Sequence, residues 1–378
     1  MKVFKFGGAS VKDADSLRNV ASVLKKFPNQ KIIIVVSAMG KITNALEKLT
    51  DAFFFKQENT KSILEEIKKY HLDIIKNLFS ESSHPVYNDA NTVFLELEKN
   101  VNRTPSHSYS QEYDQIVSTG EILSSKILST YLNEFDVKNN WLDVRNVIKT
   151  DNTYREGKVK WELTEKLVTE YFDKNRSSII LTQGFLGSTP ENFTTTLGRE
   201  GSDYTSAILA YCINAESVTI WKDVPGVMNA DPKWFDETKL IDQMSYQDAI
   251  ELSYYGATVI HPKTIKPLQN KKIPFYVKSF LQSEENGTEI NDHPSPLPIP
   301  CFIFKVNQIL LSISPKDFSF IVEENFSDIF KIFAAHQVKI NVMQNSAISF
   351  SVCLDNDQRK IPELIKMLQK KFRVLYND

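Results

Sequence analysis

The chain has 378 residues, 42% hydrophobic and 24% charged, with a formal net charge of -2, the balance of a soluble globular protein of roughly two domains. That charge excludes an overall basic field for nucleic acid, and no apolar run approaches the ~18 residues a membrane helix needs. Cys212, Cys301 and Cys353 lie far apart without a C-x-x-C pair, which argues against a disulfide framework or zinc site and fits a reducing cytosol.

The opening MKVFKFGGASVKDAD reaches a double glycine and charge too soon for a signal peptide, so a cytoplasmic location is expected. Val3–Phe6 predicts a strand, and Gly7–Gly8 a turn that lets backbone approach a ligand. Leu17, Val20, Ala21 and Leu24 repeat at helical spacing until Pro28–Asn29. Lys31–Val36 (KIIIVV) is the continuous apolar run of a strand buried in a parallel sheet. It ends in Ser37-Ala38-Met39-Gly40, and Asn44 with Glu47 three positions on predicts the start of the next helix. Strand, small-residue turn and helix, twice over, is α/β grammar.

Residues 45–135 read as mostly helical, with polar breaks near Ser80–Pro85 and Arg103–Ser108. Gly120 sits inside one helix, where glycine costs about 1 kcal/mol, so it marks close packing or a ligand contact. Its neighbour Glu121 reads as a solvated helix residue unless it points into a site. Val137–Val147 predicts a strand and its exit, followed by a polar loop from Thr150 to Lys160, a helix over Trp161–Phe172 and a strand over Ser178–Thr182 that runs into Gly184.

Thr194–Ala210 (TTTLGREGSDYTSAILA) turns at Gly198 and Gly201 and then becomes apolar at helical spacing. Ser202 or Asp203 fits the helix cap, which leaves Arg199 just before the positive end of the helix. A guanidinium fork, exposed backbone and a helix N-terminus together make an anion pocket. Val218–Trp221 predicts a strand leading into Lys222-Asp223-Val224-Pro225-Gly226-Val227-Met228, with Lys233 after Asp231–Pro232. Ser245 caps a helix that Gly256 stops, His261–Pro262 opens another, and Ile273–Phe280 is a closing strand.

In a doubly wound sheet, ligands sit beyond the carboxyl ends of the strands. Those ends carry Lys5 with Gly7 and Gly8, Ser37 with Gly40, Gly184, and Lys222 with Asp223. Lysines among glycines point to phosphate, and Asp223 fits a ribose hydroxyl. The Walker lysine motif, G-x-G-x-x-G and the protein-kinase catalytic loop are absent. The six histidines are dispersed without metal-ligand spacing, so no metal ligand set is expected from the protein.

Six motifs then stand in order over about residues 1–290: KFGGASV at 5–11, VVSAMGKITN at 35–44, STGE at 118–121, TTTLGREGSDYT at 194–205, WKDVPGV at 221–227 and YYGATVIHP at 254–262. Together they resemble aspartate kinases of the amino acid kinase family. The resemblance implies a three-layer αβα sandwich with a mainly parallel central sheet over residues 1–281, an N-terminal acceptor lobe and a C-terminal nucleotide lobe. It implies transfer of the γ-phosphoryl of ATP, with Mg2+, to the side-chain carboxylate of L-aspartate, the first step toward lysine, threonine and methionine.

By the same resemblance, Lys5 binds the transferring phosphate and Asp203 orients the lysines. Arg199 clamps the α-carboxylate, Glu121 pairs with the ammonium, and Ser37, Thr43 and Ser202 line the acceptor pocket. Gly7, Gly8, Lys222, Asp223, Met228 and Lys233 fall on the nucleotide side. The chemistry agrees: a carboxylate of pKa about 4 is already ionised, so the reaction needs positioning and charge neutralisation rather than a general base. The departures from the family pattern cluster on the nucleotide side. Thr258 stands where many relatives carry lysine, Lys233 where arginine is common, Met228 where an aromatic is usual and Lys222 in place of a small hydroxyl residue. Lys222 or Lys263 is expected to supply the missing charge. The alternatives are a kinase of the same fold for acetylglutamate, glutamate or a nucleoside monophosphate, and a non-catalytic amino-acid sensor.

Residues 282–300 hold Glu284–Glu285, Asn286–Gly287 and prolines at 294, 296, 298 and 300, the composition of an exposed linker. Residues 301–378 then read strand, helix, two strands, helix, strand, a ferredoxin-like βαββαβ order. This module is similar to an ACT domain. The likeness implies an amino-acid effector such as lysine or threonine near Asn341, Gln344, Asn345 and Ser346, and a homodimer formed through the module. Aspartate kinases of this layout usually carry two such modules and here there is sequence for one, either a short natural variant or a chain cut after Asp378. A bifunctional form with a fused dehydrogenase is not expected.

Overall fold

The computed structural model describes every residue except 176, 257–259, 293–298, 304, 318, 359 and 378. The chain divides into two compact units, Met1–Phe302 and Ile303–Asp378. Thr258, read above as a departure from the family pattern, lies outside the described residues.

In the first unit, β1 (Lys2–Phe6), α1 (Ala14–Lys25) and β2 (Ile32–Val36) lead into four helices: α2 (Ile42–Phe54), α3 (Thr60–Leu78), α4 (Pro85–Val101) and α5 (Tyr109–Glu134). Then come β3 (Asn140–Leu142), α6 (Trp161–Lys174), β4 (Ile179–Gln183), the hairpin β5 (Leu186–Ser188) and β6 (Thr194–Thr196), α7 (Gly201–Cys212) and β7 (Ser217–Lys222). The unit ends with β8 (Gln243–Ser245), α8 (Tyr246–Tyr255), α9 (Pro262–Asn270), β9 (Phe275–Ser279) and β10 (Thr288–Asn291). Eight strands form one sheet in the order β3-β4-β2-β1-β7-β9-β10-β8. Pairing is parallel throughout, apart from the antiparallel β9–β10 pair.

Two apolar layers sandwich this sheet. Alternate residues of the central strands, Phe4 and Phe6 of β1 with Ile32, Ile34 and Val36 of β2, join the core made by α1 to α5. The opposite face, with Val3, Lys5, Ile33 and Val35, takes α7, which packs on β1, β2 and β7. The chain builds β2, β3 and β4 to one side of β1 and crosses over through α7 to build β7 on the other. The carboxyl end of β1 is therefore the switch point at which an open α/β sheet receives its ligand.

Several boundaries differ from the sequence reading. Asn44 is not a cap: α2 starts at Ile42, and its N-cap Lys41 makes no side-chain bond. Neither Ser202 nor Asp203 caps α7; Glu200 does so in a left-handed backbone (φ 52°) without a side-chain bond, and both residues lie inside the first turn. Asp203 is drawn inward by a buried lysine instead. The stretch 282–300 is not all linker, because Thr288–Asn291 adds strand β10 to the large sheet. Strands as short as TEIN, TTT and QMS carry too few residues to show a period of two.

The second unit consists of β11 (Gln308–Pro315), α10 (Glu323–Ala335), β12 (Ile340–Asn345), β13 (Phe350–Asp355), α11 (Ile361–Lys371) and β14 (Phe372–Tyr376). Its strands form an antiparallel sheet in the order β12-β13-β11-β14, the βαββαβ arrangement expected from the sequence. Ile309, Leu311, Ile313, Val352 and Leu354 bury one sheet face against Ile329, Phe333, Leu364 and Leu368 of the two helices. Asn341, Gln344 and Asn345 all lie on the edge strand β12. The Asn341 amide donates to Gln308 Oε1 at 2.5 Å and Asp355 Oδ1 at 3.0 Å, while Gln344, Asn345 and Ser346 are exposed.

Candidate functional site

Lys5 is the fourth residue of the central strand, in register with Val35 on one side and Ile220 on the other. Its ammonium is almost wholly enclosed and lies 2.6 Å from Asp203 Oδ1, in the first turn of α7. A buried lysine is tolerable when a buried carboxylate faces it. Lys222, the last residue of β7, brings a second ammonium to 3.9 Å from Asp203 Oδ2. One carboxylate thus holds two cations at the ends of adjacent strands.

The turn before α7 is fixed by steric contact. A Cβ on Gly184 would lie 2.4 Å from Ser202 Cβ, so the glycine lets the first turn of α7 settle on the end of β4. Phe185 N–H donates to Thr205 Oγ1 at 2.9 Å, and Leu197 N–H to Phe185 O at 2.9 Å. Arg199 is carried at the outside of this turn, exposed and without an ion pair among the described residues.

Glu121 is not the solvated residue its helix position alone suggests; it is 2% exposed. Gly120 lets α5 close on the turn after β2, since a Cβ there would lie 3.0 Å from Ala38 Cβ. Glu121 Oε1 accepts from Ala38 N–H at 3.3 Å, while Oε2 is buried without a hydrogen-bond partner. Burial pushes the carboxyl up to about 8, against weaker lowering from the Ala38 amide and Lys5.

These groups open onto one cleft of about 720 Å³, lined by Lys5, Ser37, Thr43, Glu121, Arg199 and Ser202. The structure therefore brings together every residue that the sequence reading assigned to the acceptor. It adds residues that reading missed: Asn44, Glu47, Tyr113, Arg155, Glu156, Phe185 and Glu200 also line the cleft. Asn44 and Glu47, one helical turn apart beside Thr43, were within reach of a face argument. Arg155, in a loop read only as polar, gave no such signal.

Behind the cleft, Asp114 lies two turns before Glu121 on the same face of α5. It accepts from Arg155 N–H at 3.0 Å, from Thr196 N–H at 3.0 Å and from Thr196 Oγ1 at 2.7 Å. Burial pushes its carboxyl up to about 6 against these bonds.

Of the residues assigned to the nucleotide side, Gly7 and Lys222 stay beside the Lys5–Asp203 pair, with Lys5 Nζ 3.4 Å from where a Gly7 Cβ would stand and Lys222 Nζ 3.9 Å from Asp203 Oδ2. Gly7 and Gly8 turn under the Ala38–Gly40 turn, with Gly40 N–H donating to Gly8 O at 3.0 Å. Asp223, Met228 and Lys233 follow β7 outside the acceptor cleft; Asp223 and Lys233 are exposed, and Met228 bridges to Leu240. Lys263, in the first turn of α9, places Nζ 3.6 Å from where a Gly198 Cβ would stand, beside Arg155 O and Glu156 Cγ. No cluster of three or more His, Cys, Asp or Glu side chains fit to hold a metal occurs among the described residues.

Residues 1–279 match the description of the amino acid kinase family. This chain belongs to that family. Among its members, the lysine-sensitive aspartokinase 3 of Escherichia coli (strain K12) is 31% identical over 363 residues, which span 93% of this chain and 78% of that protein. The chloroplastic bifunctional aspartokinase/homoserine dehydrogenase 1 of Zea mays is 31% identical over 309 residues, covering 78% of this chain. The chain spans only 32% of that bifunctional relative. Crystal structures of E. coli aspartokinase III with lysine and aspartate, and with aspartate and ADP, superpose on this chain with a TM-score of 0.84, at 28% and 27% identity. Each match covers 100% of this chain and 85% of the other. The α/β sandwich at the core of this kinase family is thus the fold of the first unit.

Proposed function

We propose that this chain is an aspartate kinase, transferring the γ-phosphoryl of ATP to the side-chain carboxylate of L-aspartate. The observation that carries the reading is the cleft shared by Arg199, Glu121 and Lys5, the last held by Asp203. Arg199, beside the α7 N-terminus, offers a planar fork and a positive helix end to the α-carboxylate. Glu121, with one oxygen unpartnered, is the acceptor for the ammonium. An amino acid held by both ends of its zwitterion turns its side-chain carboxylate toward Lys5. A group already ionised needs only alignment and charge compensation to attack phosphorus.

Lys5 meets the charge that develops on the transferring phosphoryl oxygens, and Asp203 keeps Lys5 in place. Lys222 supplies a second positive group at the same point, with Gly7, Gly8, Asp223, Met228 and Lys233 on the nucleotide side. Magnesium would enter with the nucleotide as MgATP, where it would neutralise charge on the phosphates. Relatives named as aspartokinases, one crystallised with aspartate and ADP, support the same acceptor and nucleotide. A free ammonium site at Glu121 disfavours N-acetylated acceptors and nucleoside monophosphates.

The proposal extends to organisation: a catalytic unit over residues 1–281, a connection over 282–300 that lends β10 to the sheet, and an ACT-like regulatory unit over 301–378. The crystallised aspartokinase III complexed with lysine supports a lysine effector, with threonine as the alternative; the reading assigns it to the small unit near Asn341, Gln344 and Asn345. Homodimerisation through that unit and a cytoplasmic location belong to the same reading. The test is ADP release from MgATP with L-aspartate, L-glutamate, N-acetyl-L-glutamate and UMP offered separately. Turnover with aspartate alone supports the assignment, and turnover with another acceptor in its place overturns it.

A further inference from the structure

Arg155 holds a position that nothing in the reaction described so far uses. It is a non-glycine residue in left-handed backbone, φ 68°, a conformation that costs of order 1 kcal/mol and persists only where its surroundings impose it. Here they do. Both carboxylate oxygens of Asp114 accept from Arg155 N–H, at 3.2 and 3.0 Å, and the next amide but one, Gly157 N–H, donates to Thr196 O at 2.8 Å. The loop also rests on the Arg199 turn: Arg155 O lies 3.3 Å and Glu156 Cγ 3.2 Å from where a Gly198 Cβ would stand. Two arginines on abutting turns thus line one cleft.

The guanidinium is oriented and remains exposed. Its carbon lies 4.3 Å from the centre of the Tyr113 ring and 5.6 Å from that of Tyr109. Its Nη2 donates to Glu47 Oε1 at a long 3.4 Å, and both side chains of that pair are 42% exposed. A pair so exposed and so long is easily opened, whereas the contact with the Tyr113 ring, which also lines the cleft, holds the guanidinium at the cleft wall. A dicarboxylic amino acid brings two carboxylates. Arg199 can take one, while Lys5, held by Asp203, is placed for the transferring phosphoryl and leaves room for a second cation on the other carboxylate.

We propose that Arg155 is a second carboxylate-reading residue of the acceptor cleft, parked on Glu47 and transferred to a substrate carboxylate when a dicarboxylic amino acid enters. The inference rests on the acceptor reading of this cleft. Arg155→Gly removes the fork and relieves the left-handed backbone, so it separates binding from folding. In full-length protein, R155G is expected to raise KM for L-aspartate about tenfold, with kcat and KM for MgATP within about twofold and Tm unchanged or higher. Arg155→Lys, which keeps the charge but loses the fork, falls between. Glu47→Gln lowers KM for aspartate two- to threefold in the wild-type background and has no effect in R155G.

L-asparagine and L-isoasparagine, each lacking one carboxylate, then serve as competitors. R155G leaves unchanged the inhibition by the analogue that lacks the carboxylate Arg155 reads, and weakens inhibition by the other. An unchanged KM for aspartate in R155G, or equal weakening of both analogues, overturns the proposal while leaving aspartate turnover by the wild type intact. Absence of aspartate turnover in the wild type would instead remove the acceptor reading beneath it.

Discussion

Glu121 shows what a single burial does to the chemistry of this site. With its carboxyl raised to about 8, the unliganded protein holds it protonated at neutral pH, and pairing with an ammonium requires that proton to leave. On this reading, kcat/KM for aspartate rises with pH through neutrality and levels off above about 8, since the free-enzyme profile reports the free-enzyme group. Glu121→Gln flattens that limb and raises KM for aspartate at least tenfold, readable by initial rates from pH 6 to 9. The stability sign is opposite. A carboxyl raised above its unfolded value of 4.5 keeps a proton in the folded state that the unfolded chain loses, so its contribution falls as pH rises from 4.5 to 8. Glu121→Gln should therefore not lower Tm at pH 8 even as binding suffers. In the sequence Glu121 was visible through its STGE context, yet its burial was not, because the closing contact is tertiary: Gly120 against Ala38.

At the scale of elements, the site is an agreement between turns that are distant in sequence. The run from Thr194 to Ala210 announced itself through Gly198, Arg199 and Gly201, and α7 forms where the apolar spacing begins. Its cap was misread because Glu200 enters the helix from left-handed backbone, a conformation that leaves no mark in residue type. Asp114 was illegible for a different reason. It is an ordinary polar residue within a helix, and only the fold shows that it ties α5 to the Arg155 loop and to β6. The junction of β4 and α7 offers a direct test. Gly184→Ala places a methyl 2.4 Å from Ser202 Cβ and 2.7 Å from Ser202 Cα, and overpacking against backbone costs about 1–3 kcal/mol or more. Lower Tm together with a raised KM for aspartate is expected, since the displaced turn carries Arg199; an unchanged Tm would show that the junction is looser than these distances.

Across the whole molecule, the α/β order and the βαββαβ order were both legible, since long apolar strands and amphipathic helices carry their period in the sequence. What escaped was short, polar or far from its partner, such as β10 inside the supposed linker. His71 belongs to this last group. Dispersed histidines gave no pattern, yet this one is fully buried, with Nδ1 2.8 Å from Ile67 O and Nε2 without a hydrogen bond. Burial pushes it down to about 4 from 6.5. The folded state therefore refuses a proton that the unfolded chain accepts, and stability is lost as pH falls from 6.5 toward 4, by about 3 kcal/mol at full extent. Asp114 and Glu121 act in the opposite sense over overlapping ranges, so the raw acid limb mixes all three. The difference between wild type and His71→Leu isolates the histidine. By urea unfolding at a series of pH values, that difference should shift in favour of the leucine variant as pH falls from 7 to 4.5, and a difference independent of pH would mean that His71 takes its proton in the folded protein.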